Sequence, residues 1–212
     1  MNFYIDQAAV HAMHLLTADK TDMRYDLQGV HFKVRGDYAT LTATDGRLAG
    51  IKRCHVTSNS APLEAVEFIM PTELVKKLKP GKNDSLMKIE FSTGGRLISV
   101  ETCTGRERFL GDAIDGRFPD MGRVVPSTVN NEIAQFDPEL LAKFQKYARL
   151  STGSKAGYIV IAHNGEAGAS LVSIGDPDFF GIVMGLRCTN IPDTLKAVPT
   201  WFRAPVAERV AA

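Results

Sequence analysis

The chain has 212 residues, 44% of them hydrophobic and 23% charged, which excludes intrinsic disorder and leaves room for one large domain or two small ones. The formal net charge of +1 is a cancellation, so it neither supports nor excludes a nucleic-acid partner until the charges are placed on faces. Cys54, Cys103 and Cys188 are odd in number and lack metal-ligand spacing, which argues against a disulfide framework or a zinc site and fits a reducing cytoplasm. No apolar run approaches a membrane span, and the N-terminus lacks a basic stretch followed by an apolar one. The expectation is a chain neither exported nor inserted.

In chain order the hydrophobic period switches repeatedly between two and 3.6. A strand at Asn2–Ile5 leads into a helical stretch, Asp6–Leu16, with Ala9, Met13 and Leu16 on one face. The alternating runs GVHFKVRGD, YATLTATDG and LAGIKRCHV follow, with Val30, Phe32 and Val34 on one side and His31 and Lys33 on the other. After the polar connector VTSNSAPLEAVE the same order returns: strand VEFIMP, helix PTELVKKLKP, then strands LMKIEFS, RLISVETC and RERFLGDAI. A third start comes at EIAQF, followed by the helix DPELLAKFQKYARL, with Asp137 as N-cap and Pro138 at the first helical position. The strands YIVIAH, ASLVSIG and FFGIVMGLR complete it, and a tail, CTNIPDTLKAVPTWFRAPVAERVAA, remains. The period is about sixty residues, and each unit reads as βαβββ.

The expected organisation is α+β. Two units form a domain over 1–127, one unit a partial domain over 128–187, and 188–212 is a tail.

The helices are apolar on one face and basic on the other. In the third, Leu140, Leu141, Phe144 and Ala148 fall within roughly one hundred degrees of arc, opposite Lys143, Lys146 and Arg149. The second sets Leu74, Val75 and Leu78 against Lys76, Lys77, Lys79 and nearby Lys82, and Lys20 and Arg24 lie just beyond the first. Solvated surface lysines account for any one helix. Repetition on equivalent helices points instead to a sequence-independent track for duplex phosphates.

The segment GDAIDGRFPDMGRVVPS, Gly111–Ser127, holds turn formers, a Phe-Pro pair, arginines and an apolar Val-Val-Pro, without a nucleophile, base or metal-ligand set. That is the composition of a docking surface.

The run RYDLQGVHFKVRGDYATLTATDGRLAGIKR, Arg24–Arg53, resembles the middle domain of the bacterial sliding clamp, the beta subunit of DNA polymerase III, with its Thr-Asp-Gly and Arg-Leu-Ala signature. GRFPD resembles the segment closing that domain, and FFGIVMGLR the family's C-terminal strand; together the likeness runs from about Asn2 to Arg187. It implies a DNA clamp fold of repeated βαβββ units, with antiparallel sheets outside a ring and helices on the inner face. It also implies an apolar cleft that takes short peptides from a DNA polymerase or other clamp-binding proteins. Carried over residue by residue, Thr44, Gly46, Arg47 and Leu48 form one wall, Pro119, Arg123, Val124 and Val125 another, and Ile182, Val183, Met184, Leu186 and Arg187 close it.

Aliphatic side chains with a methionine make an adaptable apolar floor, and rim arginines can hold carbonyls or a carboxylate. Plain strand core is the alternative for the Val, Ile and Met residues, and a surface ion pair for Arg123 and Arg187.

This chain departs from the family pattern. The signature lacks its histidine, so Gly46 runs directly into Arg47, and Gly185 stands where proline is usual. Relative to the three-domain subunit, the expectation is that the first domain is missing and the last is halved. Family rings close with twelve units, and four chains of three would give the same twelve, so a homotetramer is the expected ring.

No catalytic constellation, cofactor motif or metal set is found. His11 and His14 lack a third ligand, Asp45-Gly46 is foremost a turn, and STGG and GKNDS do not match a P-loop. Two functions remain: a processivity factor encircling double-stranded DNA and tethering a DNA enzyme, or a non-encircling adaptor that competes with a host clamp for its partners. The tail cluster of Pro199, Trp201 and Phe202 is expected either to fill the cleft or to strap its own sheet.

Overall fold

Strict alternation produces the central strands. The computed structural model describes residues 2–58, 65–81, 86–92, 96–102, 107–153 and 155–187. The first unit comprises β1 (Asn2–Asp6), α1 (Gln7–Ala12), β2 (Gly29–Arg35), β3 (Tyr38–Thr44) and β4 (Leu48–His55). In β2, Val30, Phe32 and Val34 are fully buried while His31 and Lys33 lie half-buried on the other face, as a period of two dictates. The second unit repeats the order as β5 (Val66–Pro71), α2 (Thr72–Lys77), β6 (Leu86–Phe91), β7 (Leu97–Thr102) and β8 (Arg108–Asp112). The third holds α3 (Pro138–Thr152), β9 (Val160–Ala162), β10 (Ala169–Ser173) and β11 (Phe179–Met184).

The first two units exchange their opening strands. β1 joins the second unit in a four-stranded sheet, β1-β6-β7-β8, and β5 joins the first in a seven-stranded one, β5-β2-β3-β4-β11-β10-β9; every pairing is antiparallel. A stack of Phe32, Phe68 and Phe91, with ring centroids 4.8 and 4.7 Å apart, ties the two sheets together. The third unit enters the larger sheet through β11, which pairs with β4 from Phe179↔Lys52 to Val183↔Leu48. The helices pack against one another and, with the core faces of both sheets, enclose one cluster running from Phe3 to Val183.

Two expected elements change. The first helix is α-helical only to Ala12 and tightens into a 3₁₀ turn, Met13–Leu16; its start is held by Asp6, whose side chain accepts from Ala9 N at 2.6 Å. The third unit's opening strand, Glu132–Phe136, is reduced to a single bridge, Gln135 with Leu186. Opening strands in the other units are held by exchange with a neighbouring unit. Among the described residues no further unit takes up this one. By contrast α3 follows its sequence signals: Asp137 Oδ1 accepts from Glu139 N at 2.9 Å, and Gly153 closes the helix at φ 66°.

Each fourth strand carries one glycine beneath an apolar residue of its own unit's helical segment. A Cβ on Gly50 would strike Leu16, on Gly111 it would meet Leu74 at 3.1 Å, and on Gly181 it would strike Phe144. At Gly50 and Gly181 the approach is closer than a Cβ permits, at Gly111 it is only tight, and Gly50 and Gly181 face each other across the β4–β11 seam.

Candidate functional site

The Asp45-Gly46 turn between β3 and β4 is built by its own side chains. Asp45 Oδ1 accepts from Arg47 N at 2.8 Å and Leu48 N at 3.0 Å, Thr44 Oγ1 donates to the Leu48 carbonyl at 2.6 Å, and Gly46 adopts φ 87°. Those bonds make Asp-Gly a turn, with the carboxylate turned inward. Asp45 is buried, and the Lys143 ammonium on α3 donates to its second oxygen at 2.7 Å. Above the turn, Arg24 donates to the Asp45 carbonyl at 3.0 Å and grips Asp22 through two bonds of 2.9 and 2.7 Å. The guanidinium holds the Asp22 carboxyl down at about 2. It also lies over Gly46, where any Cβ would collide with it.

Four segments of the chain converge to line a cavity of about 190 Å³ that opens to solvent. Thr44, Gly46, Arg47 and Leu48 come from the turn, Pro119, Met121 and Val124 from the connector after β8, and Ile182 and Met184 from β11; Arg24, Asp26 and Leu27 complete the lining. Under it, Met121 and Val125 pack on Ala49, Ala169 and Ile182, an apolar cluster separate from the main core. Phe118 stacks on His31 with centroids 4.7 Å apart, which anchors the connector and leaves Pro119 at the cavity. The Arg47 guanidinium at the rim bonds Asp137 at 3.2 Å.

Of the residues named from sequence, Thr44, Gly46, Arg47, Leu48, Pro119, Val124, Ile182 and Met184 line this cavity. Val183 does not: alternation along β11 turns it into the core, fully buried. Val125 lies beneath the floor. Arg123 projects to solvent beside Asp120 at 3.5 Å, and Leu186 and Arg187 are exposed beyond the end of β11. Sequence reasoning missed Met121, Asp26 and Leu27, and it set Arg24 among the DNA contacts. The signal for Met121 was present, since it sits inside the connector motif.

The basic residues divide. Lys20, Lys76, Lys143 and Lys146 border a second, larger hollow of about 730 Å³ together with His14, Asp19 and Glu73. Glu73 lies 3.2 Å from Lys20 and 3.6 Å from Lys76. Lys77, Lys79, Lys146 and Arg149 are exposed, whereas Lys143 and Arg24 are engaged by Asp45 and Asp22. Lys82 and the tail cluster of Pro199, Trp201 and Phe202 lie outside the described residues. Among the described residues no helix is long and apolar enough to cross a membrane.

The fold is shared with solved clamps. The DNA polymerase sliding clamp of Bacillus subtilis superposes with a TM-score of 0.66 at 13% identity, over 89% of this chain and 64% of that one. The DNA polymerase III beta subunit of Thermotoga maritima gives 0.64 at 13% identity, over 89% and 66%. In sequence, the beta sliding clamp of Haemophilus influenzae is 31% identical over 134 residues, 61% of this chain and 33% of the relative. That of Vibrio cholerae is 28% identical over 149 residues, 68% and 38%. The chain thus spans little more than a third of the length of these sequence relatives. The family model of the DNA polymerase III beta subunit, central domain, matches residues 7–120, more than half of the chain. With the α+β clamp fold and these relatives in agreement, the chain belongs to the DNA polymerase III beta subunit family, through its central domain.

Proposed function

We propose that the chain is a sliding-clamp-type processivity factor, a non-catalytic cytoplasmic protein that holds a DNA polymerase or another DNA enzyme on double-stranded DNA. The cavity at the Thr44–Leu48 turn carries this reading. It is small and largely apolar, open to solvent, bordered by Arg24 and Arg47, and built where four segments of the chain meet. Such a site suits a short peptide whose bulky apolar side chains enter the cavity while its carbonyls or a carboxylate meet the rim. Residues 1–127 then act as a clamp domain and 128–187 as a partial one.

The exposed Lys77, Lys79, Lys146 and Arg149, with Lys20 and Lys76 beside them, supply loose phosphate contacts that let duplex slide. A ring of four chains supplies twelve units around the DNA. Encirclement slows dissociation, and tethering raises the partner's effective concentration at the template.

The test is retention on DNA. Protein loaded on nicked circular plasmid should stay bound through a high-salt wash and be lost when the plasmid is linearised. Equal loss from both forms rules out encirclement.

A further inference from the structure

Met184, the last residue of β11, lines the cavity, and its amide donates to the Arg47 carbonyl at 2.9 Å. Leu186 N then donates to the Gln135 carbonyl at 2.7 Å, two residues from Asp137, the partner of Arg47. The described residues therefore end, at Arg187, three positions beyond Met184 and at most about 11 Å from the cavity wall. We propose that the segment Pro199–Arg203 of this same chain turns back and occupies the cavity, with Trp201 and Phe202 against its apolar lining and Arg203 at Asp26. A partner peptide must then displace it.

Reach and chemistry both fit. Trp201 follows Arg187 by fourteen residues, and such a stretch spans up to about 46 Å, several times the return distance. Trp201 and Phe202 are the only aromatic residues after Arg187. The surface offered to them is Leu27, Leu48, Met121, Val124, Ile182 and Met184. Aromatic rings gain a large contact area there and have few rotatable bonds to freeze. Pro199 and Pro205 flank the pair and restrict its backbone, which lowers the entropy lost on docking.

Charge favours the same segment. Both rim arginines are already paired, Arg24 with Asp22 at 2.7 Å and Arg47 with Asp137 at 3.2 Å. Asp26 is half-buried in the lining and has no ion-pair partner among the described residues. The charge that the lining leaves open is thus negative, and Arg203 follows Phe202 directly.

Tethering makes the contact intramolecular, at an effective concentration on the order of 1 mM. A segment with an intrinsic dissociation constant of about 0.1 mM then fills the cavity most of the time and weakens a competing peptide about tenfold. The inference rests on the peptide-site reading of the cavity for that competition, though not for the contact itself.

Trp201 is the chain's one tryptophan, so its fluorescence in the full chain reports the contact. Its emission should be blue-shifted and shielded from acrylamide, and dilution should not change this. Met184→Glu, Val124→Glu and Arg203→Glu should each expose it; Arg203→Glu changes no residue of the described core, which guards against misfolding of the other two. The double variant W201S/F202S should bind a fluorescent peptide with adjacent leucine and phenylalanine about tenfold more tightly than the wild type does. A tryptophan exposed in the wild type, shielding that ignores all three variants, or shielding lost on dilution, as for docking onto a second copy, would each overturn the proposal. So would a peptide that binds with the same affinity to W201S/F202S and to the wild type. A shielded Trp201 that responds to the variants, with a peptide that binds neither protein, leaves the contact standing and removes the peptide-site reading instead.

Discussion

Lys143 on α3 donates to the buried carboxylate of Asp45 in the β3–β4 turn at 2.7 Å, joining the third unit to the first directly behind the candidate cleft. The lysine side chain is 29% exposed and the aspartate side chain 8%. Asp45 Oδ1 is satisfied by the Arg47 and Leu48 amides, so Lys143 neutralises the charge and pins the turn.

Replacing Lys143 with methionine keeps the helix and leaves the Asp45 charge buried without a cationic partner. The expected cost is about 1.5–3 kcal/mol, the range for hydrogen bonds to charged groups. Urea unfolding of Lys143→Met should show it, and the double variant K143M/D45N should recover part of the loss. An unchanged midpoint in the single variant contradicts this role.

The cleft is best tested where substitution spares the core. Leu48 is 2% exposed and belongs to the main core, so a charge there unfolds the chain. Met184 and Val124 are 38% and 43% exposed and line the cavity. Met184→Glu and Val124→Glu should each weaken binding of a fluorescent peptide with adjacent leucine and phenylalanine by about tenfold or more, about 1.4 kcal/mol. Polarisation titration measures it, and unchanged affinity in both folded variants removes the cleft from peptide binding.

Phosphate contact should follow the free cations rather than all the basic ones. Lys77→Ala and Lys146→Ala should each lower the slope of log affinity against log salt by about 0.9 per phosphate lost on duplex DNA. Asp22 already engages Arg24, so Arg24→Ala should leave that slope unchanged while weakening the peptide. The reverse pattern in filter binding would move Arg24 back to the DNA surface.

His14 and His31 both titrate below the usual histidine range, chiefly because burial disfavours their charged form. For His14 the His11 carbonyl opposes this, and for His31 the hydrogen bond to Glu67 does. The unfolded chain therefore takes up these protons first. Their contribution to stability is complete above pH of about 6.5 and declines as pH falls through that value toward the lower folded pKa values. Thermal melts from pH 7.5 to 5 should show the decline, and His14→Asn with His31→Asn should flatten it.

Much of the fold is local and was legible. Alternation in β2, the Asp137-Pro138 start of α3 and the return of one strand and helix order depend on side chains within a few residues of each other. The resemblance carried eight lining residues of the cavity, because the Thr-Asp-Gly turn, the Phe-Pro connector and the β11 run are each short continuous motifs. What sequence periodicity left open is which partner each element takes.

The sequence by itself determined the repeated units, the helix ends, and the polar turn and apolar strands from which the site is made, since these follow from backbone period and side-chain type. The tertiary structure alone decided that opening strands are exchanged, that β11 closes onto β4, and that Lys143 serves Asp45. It also decided that Arg24 borders the cavity and that Val183 faces the core. These depend on which elements approach across 98 positions, as in the Lys143–Asp45 bond. Such approaches are set by close packing, as at Gly50 beneath Leu16 and Gly181 beneath Phe144, and no local pattern of residues encodes the distance between them.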